Sequence, residues 1–167
     1  DPLLMRVIFH LPNDDLNKAQ AMAQSAERAG FDGVVALENA HGPFPPLTVA
    51  AMATQRVQIG TGVAIAFPRS PTITAMTAWT LAKLSKGRFY LGLGSQVKGH
   101  IRRRFGLQYS PPGPWMREYI QAVKAVCWCG DLVWVVRVSR SCGCWCGSLV
   151  WVVGVGRWCG CWCGPLV

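Results

Sequence analysis

Four times in the first 126 residues, a short apolar run is followed after a few residues by a segment of helical periodicity. That alternation is the strongest constraint the chain carries. Strands joined through helices run parallel and need cover on both faces. The first run, LLMRVIFHL (Leu3–Leu11), ends at PNDD. There Asn13 or Asp14 is the expected N-cap of a helix whose Leu16, Ala19, Ala23 and Ala26 share one face and which stops at Gly30. GVVALE (Gly33–Glu38) reads as the second strand and PLTVAAMATQ (Pro46–Gln55) as a short helix. VQIGTGVAIAF (Val57–Phe67) is the third strand, apolar almost throughout, as a strand buried on both faces should be. Ser70-Pro71 supplies an N-cap and N1 pair for a helix ending before Gly87. RFYLGLG (Arg88–Gly94) is the fourth strand. A loop with Arg102, Arg103 and Arg104 and a PPGP turn then lead to a fourth helix, Trp115–Val126. The pattern predicts an α/β fold with a parallel sheet. A doubly wound sheet and the first half of a β/α barrel both satisfy it.

From Cys127 the character changes. CWCGDLVWVVRVSRSCG is followed by CWCGSLVWVVGVGRWCG and then CWCGPLV, a seventeen-residue unit in two complete copies and a third start. All eight cysteines and six of the eight tryptophans lie there, which divides the chain at 1–126 and 127–167. The unit is rich in residues with GC-rich codons, and three of its four internal differences need one base change. It is therefore expected to be translated repetitive DNA, out of frame or disordered. LVWVV, present in both copies, is a β-prone and uncharged window. The C-x-C pairs raise a second possibility, a non-enzymatic metal-binding module fused to a remnant α/β domain, since thiolates bind zinc or copper(I).

Residues 1–126 contain no cysteine, which fits a reducing, cytoplasmic setting and excludes a disulfide framework there. The net charge of +9 favours anionic ligands. The cations are scattered and not interleaved with aromatic residues, so nucleic-acid binding is not expected. The longest uncharged stretch of the tail, Ser141–Gly156, is short for a membrane span and broken by glycines.

The segment RVQIGTGVAIAFPRSPTITAMTAWTLAKLSKGRFYLGLGSQVKGHIRRRFG (Arg56–Gly106) resembles the luciferase-like monooxygenase family, in particular its oxidoreductases that use the deazaflavin coenzyme F420. AERAGFDGVVALENAHGPFPPL (Ala26–Leu47) and SPPGPWMREYIQAVKAV (Ser110–Val126) support the resemblance. It implies the N-terminal half, about four βα units, of a (β/α)8 TIM barrel with its site at the C-terminal strand ends. It also implies hydride transfer with F420 (or FMN), a small-molecule substrate and a family habit of homo-oligomers.

The resemblance suggests where to look. Related enzymes carry a bulge with a non-prolyl cis peptide behind the cofactor ring, and Thr61, Gly62 and Val63 resemble that step. Glu38 and His41 follow the second strand and are the expected acid–base groups at the mouth. The plainer alternative is that Glu38 caps a helix and His41 orders its loop. Gly94 and Ser95 end the fourth strand, where a cofactor would lie against the backbone. Lys98, His100 and Arg102–Arg104 would face an anionic tail, or form a solvated loop. Relatives that carry a glutamate after the fourth strand differ from GSQVKGHI (Gly94–Ile101), which has none. A family barrel runs to about 250 residues. Residues 1–126 are thus expected to be a truncated barrel with two unpaired sheet edges, and the chain to be inactive by itself.

Overall fold

The computed structural model describes residues 6–128, 134–138 and 150–155. Strand β1 (Ile8–His10) leads to helix α1 (Leu16–Arg28), and β2 (Gly33–Ala36) to α2 (Phe44–Ala53). The expected third strand is divided into β3 (Gln58–Thr61) and β4 (Ala64–Ile65) by the Gly62-Val63 step. Helix α3 (Pro71–Leu84) and strand β5 (Phe89–Gly94) follow. Strands β1, β2, β3 and β5 pair in that order and in parallel, with Val35 opposite His10 and Gly60 opposite both Val35 and Tyr90. Strand β4 also pairs with β5.

The two faces of this sheet differ. Val34, Ala36, Ile59, Phe89, Leu91 and Leu93 are buried in one core with Leu47, Ala50, Ala78 and Leu81 of the helices. On the opposite face Ile8, His10 and Gln58 are exposed, and Val35 and Tyr90 half-buried. The Tyr90 ring lies on Gly60, where a Cβ would come within 2.3 Å of it. Burial pushes the Tyr90 phenol up to about 12.

Three local readings are corrected. Helix α1 is capped by Asp15, whose Oδ1 accepts from the Asn17 and Lys18 amides at 2.9 and 3.1 Å. Asn13 instead donates to the Leu37 carbonyl at 2.9 Å and to Asn39 Oδ1 at 2.8 Å, tying the loop after β2 to the loop after β1. The loop expected around Arg102–Arg104 contains a short helix, α4 (Lys98–Arg103), anchored by the fully buried Ile101. The last long helix, α5 (Pro112–Trp128), starts before Trp115 and runs past residue 126.

Strands β6 (Trp134–Val138) and β7 (Val150–Val155) come from the two complete copies of the repeat. They pair antiparallel with Val136 opposite Val153, which occupy the same position in successive copies. Strand β7 also lies antiparallel along β5, with Leu91 opposite Val153. The β5 edge, expected to be unpaired, is therefore occupied. The rest of the repeat, and with it the readings that the tail is out of frame or binds metal, lies outside the described residues. Among the described residues no group of three His, Cys, Asp or Glu could hold a metal ion, and no helix is long and apolar enough to cross a membrane.

Candidate functional site

The C-terminal ends of β2, β4 and β5 enclose a cavity of about 140 Å³, lined by Leu37, Glu38, Gly62, Val63, Ile65, Gly94 and Gln96. Its floor is the bulge between β3 and β4. The Gly62-Val63 peptide bond is cis, and the Gly62 amide donates to the Ala36 carbonyl at 2.9 Å. Thr61 anchors the bulge on its other side. Its hydroxyl donates to the Gly92 carbonyl at 2.6 Å and accepts from the Gly92 amide at 2.8 Å. Those two bonds use the side chain within the sheet, so Thr61 shapes the site without presenting its hydroxyl to the cavity.

Glycine at 94 answers to the bulge. A Cβ there would fall 2.6 Å from Val63 Cγ2. At Gly92 it would fall 2.2 Å from the Thr61 carbonyl oxygen. Both positions leave room for the chain that crosses them. Gly94 also lines the cavity, with its carbonyl accepting from the Ala66 amide at 2.9 Å.

Glu38 reaches from the end of β2 to the far side of the bulge. Its Oε2 accepts from the Ile65 amide and from Arg69 Nη1, both at 2.7 Å, and its Oε1 from Arg69 Nη2 at 2.7 Å. Arg69 Nη1 also donates to the Ile65 carbonyl at 2.7 Å, and the guanidinium lies 5.5 Å from the Phe44 ring centre. The Glu38 side chain is only 5% exposed and the Arg69 side chain 23%. A two-pronged pair of this kind fixes orientation as well as charge. The helix cap suggested for Glu38 is not what forms: the carboxylate clamps β4 to β2. No sequence pattern joins residues 31 apart, and Arg69 carried no signal beyond its charge.

The remaining expected residues separate. His41 lies on the exposed part of its loop, where its carbonyl accepts from Asn13 at 3.3 Å, and it does not line the cavity. Ser95 is fully buried, and its Oγ has no hydrogen-bond partner among the described residues. Lys98, His100 and Arg102–Arg104 are exposed on and just after α4, with Arg104 over the Phe105 ring. Gln96, which no motif singled out, lines the cavity with a left-handed backbone at φ 57°.

The cavity opens at the C-terminal ends of a parallel β/α sheet, where β/α barrels and doubly wound sheets alike keep their chemistry, and the solved structures the chain resembles make it part of a barrel. The chain belongs to the luciferase-like monooxygenase family, whose profile matches residues 5–134. It is 44% identical over 116 residues to the uncharacterized protein Rv1360 of Mycobacterium tuberculosis, covering 70% of this chain and 34% of that one. It is 40% identical over 111 residues to the putative coenzyme F420-dependent oxidoreductase Rv3520c of the same organism, covering 66% and 32%. The chain thus spans about a third of the length of these relatives. Among solved structures, the coenzyme F420-dependent tetrahydromethanopterin reductase of Methanopyrus kandleri superposes with TM-score 0.62 at 25% identity, over 71% of this chain and 39% of that one. The FMN complex of a type II Baeyer-Villiger monooxygenase from Pseudomonas putida superposes with TM-score 0.65 at 14% identity, over 80% and 42%, and shares the fold.

Proposed function

We propose that residues 6–126 form the ring-binding part of an oxidoreductase that uses coenzyme F420, with FMN as the alternative. The observation that carries this reading is the cavity itself, which opens at the C-terminal strand ends and has a floor bare of side chains at Gly62 and Gly94. The site residues fit a flat heterocycle. Val63, Ile65 and Leu37 offer apolar contact, the Gly62 and Gly94 backbones allow close approach, and Gln96 supplies a polar edge. The unpartnered Ser95 hydroxyl, between Gly94 and Gln96 in the chain, is a further group that a ligand-induced shift would satisfy.

A bound deazaflavin or flavin supplies hydride chemistry. The chain's own residues bind and orient. Gly62 and Val63 form the bed, and Arg69 holds Glu38, which holds Ile65 and so the outer wall. Three donors already occupy the Glu38 carboxylate, so its proposed part is positioning and not proton transfer. A proton for substrate falls to a group at the mouth, and exposed His41 is the candidate this stretch offers. Support for F420 comes from the relative Rv3520c, and support for FMN from the neighbour solved with it. By themselves these 167 residues are proposed to be inactive, because the family barrel draws its site from all eight strand ends.

A cytoplasmic setting is proposed from the cysteine-free stretch 1–126. Self-association is proposed through α2 and α3, which expose Met52, Ile73 and Met76 and carry only one charge, Lys83. Titration of the full chain with F420 and with FMN, followed by ligand fluorescence, tests the cofactor reading. Saturable one-to-one quenching by either supports it, and a flat titration with both overturns it.

A further inference from the structure

Gln96 stands out in the site. Its backbone is left-handed at φ 57°, a conformation that glycine adopts at no cost and other side chains rarely do. Its own side chain closes the turn, with Oε1 accepting from the Val97 amide at 2.9 Å. That bond settles which end of the amide is which, because only the oxygen can accept. The NH2 end has no hydrogen-bond partner among the described residues, and the residue lines the cavity. The other polar side chain in the lining, Glu38, accepts from Ile65 and Arg69 and has no proton to donate as a carboxylate. Gln96 therefore brings the side-chain hydrogen-bond donor to a cavity otherwise walled by a carboxylate, apolar groups and backbone.

We infer that Gln96 is a specificity-determining residue whose amide NH2 donates to an acceptor on the ligand, a carbonyl oxygen or unprotonated nitrogen at the edge of a planar heterocycle. The inference rests on the cofactor reading above and adds to it the residue that reads the ring edge. A site that donates to such an acceptor discriminates against a ring that lacks one, because a bound ring covers the amide NH2 and leaves it unpaired. Turn formation and recognition are separate functions of the two ends of one amide, so a change at one end can test one function alone.

Gln96→Glu makes that change. It keeps an oxygen for the Val97 amide and replaces the donor with an acceptor. Gln20→Glu, on the exposed side of α1, adds the same charge away from the cavity. The wild-type chain and both variants are titrated with F420 and with FMN, following ligand fluorescence and the position of the visible absorption band, with thermal melting as the fold control. Gln96→Glu is expected to weaken ring binding at least tenfold and to move the band of the bound ring, with Gln20→Glu unchanged. Should Gln96→Glu not fold, Gln96→Gly, which suits the left-handed backbone and removes the donor, decides by the same tenfold criterion. Wild-type binding matched by the Gln96 variant, with an unmoved band, overturns the inference and leaves the cofactor reading standing. Absence of wild-type binding to either ring overturns both.

Discussion

The two ends of the sheet use the same chemistry for different purposes. At the N-terminal ends of the strands, Glu27 accepts from the Gln55, Arg56 and Val57 amides, and Arg88 donates to the carbonyls of Ala51, Thr54, Val57 and Ser85 and to the Thr54 hydroxyl. At the C-terminal ends, Glu38 accepts from one amide and Arg69 donates to one carbonyl, and the two charges are paired with each other. The lower carboxylate and guanidinium are spent on backbone, which closes the turns into β3 and β5. The upper pair holds a bulge beside a cavity. The lower charges are met mainly by backbone from the turns, whereas the upper pair is met mainly by each other and grips a single residue, Ile65, at the cavity wall.

Substitutions that break each clamp should separate the two purposes. Arg88→Ala leaves several half-buried carbonyls without donors, and a loss on the order of 3 kcal/mol is expected in urea unfolding. Ring affinity of the folded fraction should not change. Gly94→Ala brings a methyl against Val63 and is expected to cost about 2 kcal/mol while distorting the cavity floor, so stability and ring affinity should fall together. Arg69→Ala leaves Glu38 unpaired at the cavity wall. About 2 kcal/mol of stability and at least tenfold in ring affinity are expected to go, with Arg69→Lys recovering the charge but not the two-pronged geometry.

The smallest effect concerns pH. Burial pushes Glu27 up, but the amides of Arg56, Val57 and Gln55 and the Arg56 charge outweigh it and hold the carboxyl below its ordinary value. A lowered carboxyl stabilises the folded state above the unfolded value of 4.5, and that contribution is lost as pH falls through the folded value. Glu27→Gln should therefore cost about 1 kcal/mol at neutral pH, small because the carboxylate is largely wet. Its stability gap to wild type should close below about pH 4.5 in unfolding curves.

Much of this arrangement could be read from sequence. The alternation of apolar runs and helical stripes located β1, β2, β3 and β5, because a doubly covered strand leaves a continuous apolar signature. The bulge at Gly62 came from the family resemblance, because the residues by themselves read as one strand over Val57–Phe67. Helix α4 left no comparable trace. It is six residues long, almost all exposed, and its single anchor Ile101 makes no periodicity. The Glu38–Arg69 clamp joins residues whose contact only the folded bulge creates. Gln96 was invisible for a related reason: its value lies in a backbone angle and a side-chain bond to its own neighbour, neither of which spacing reveals. His41 was singled out by residue type and proximity to a strand end, and the Asn13 tie holds its loop with the residue at the surface.

Amide hydrogen exchange of the full chain, with and without saturating F420 and then FMN, tests the central claim most directly. Binding at the C-terminal strand ends is expected to slow exchange in the segments around Leu37–Glu38, Gly62–Ile65 and Gly94–Gln96, and to leave Gln55–Val57 and Ser85–Arg88 as they were. Slowing confined to the lower turns, or no change anywhere with either ring, would contradict the account.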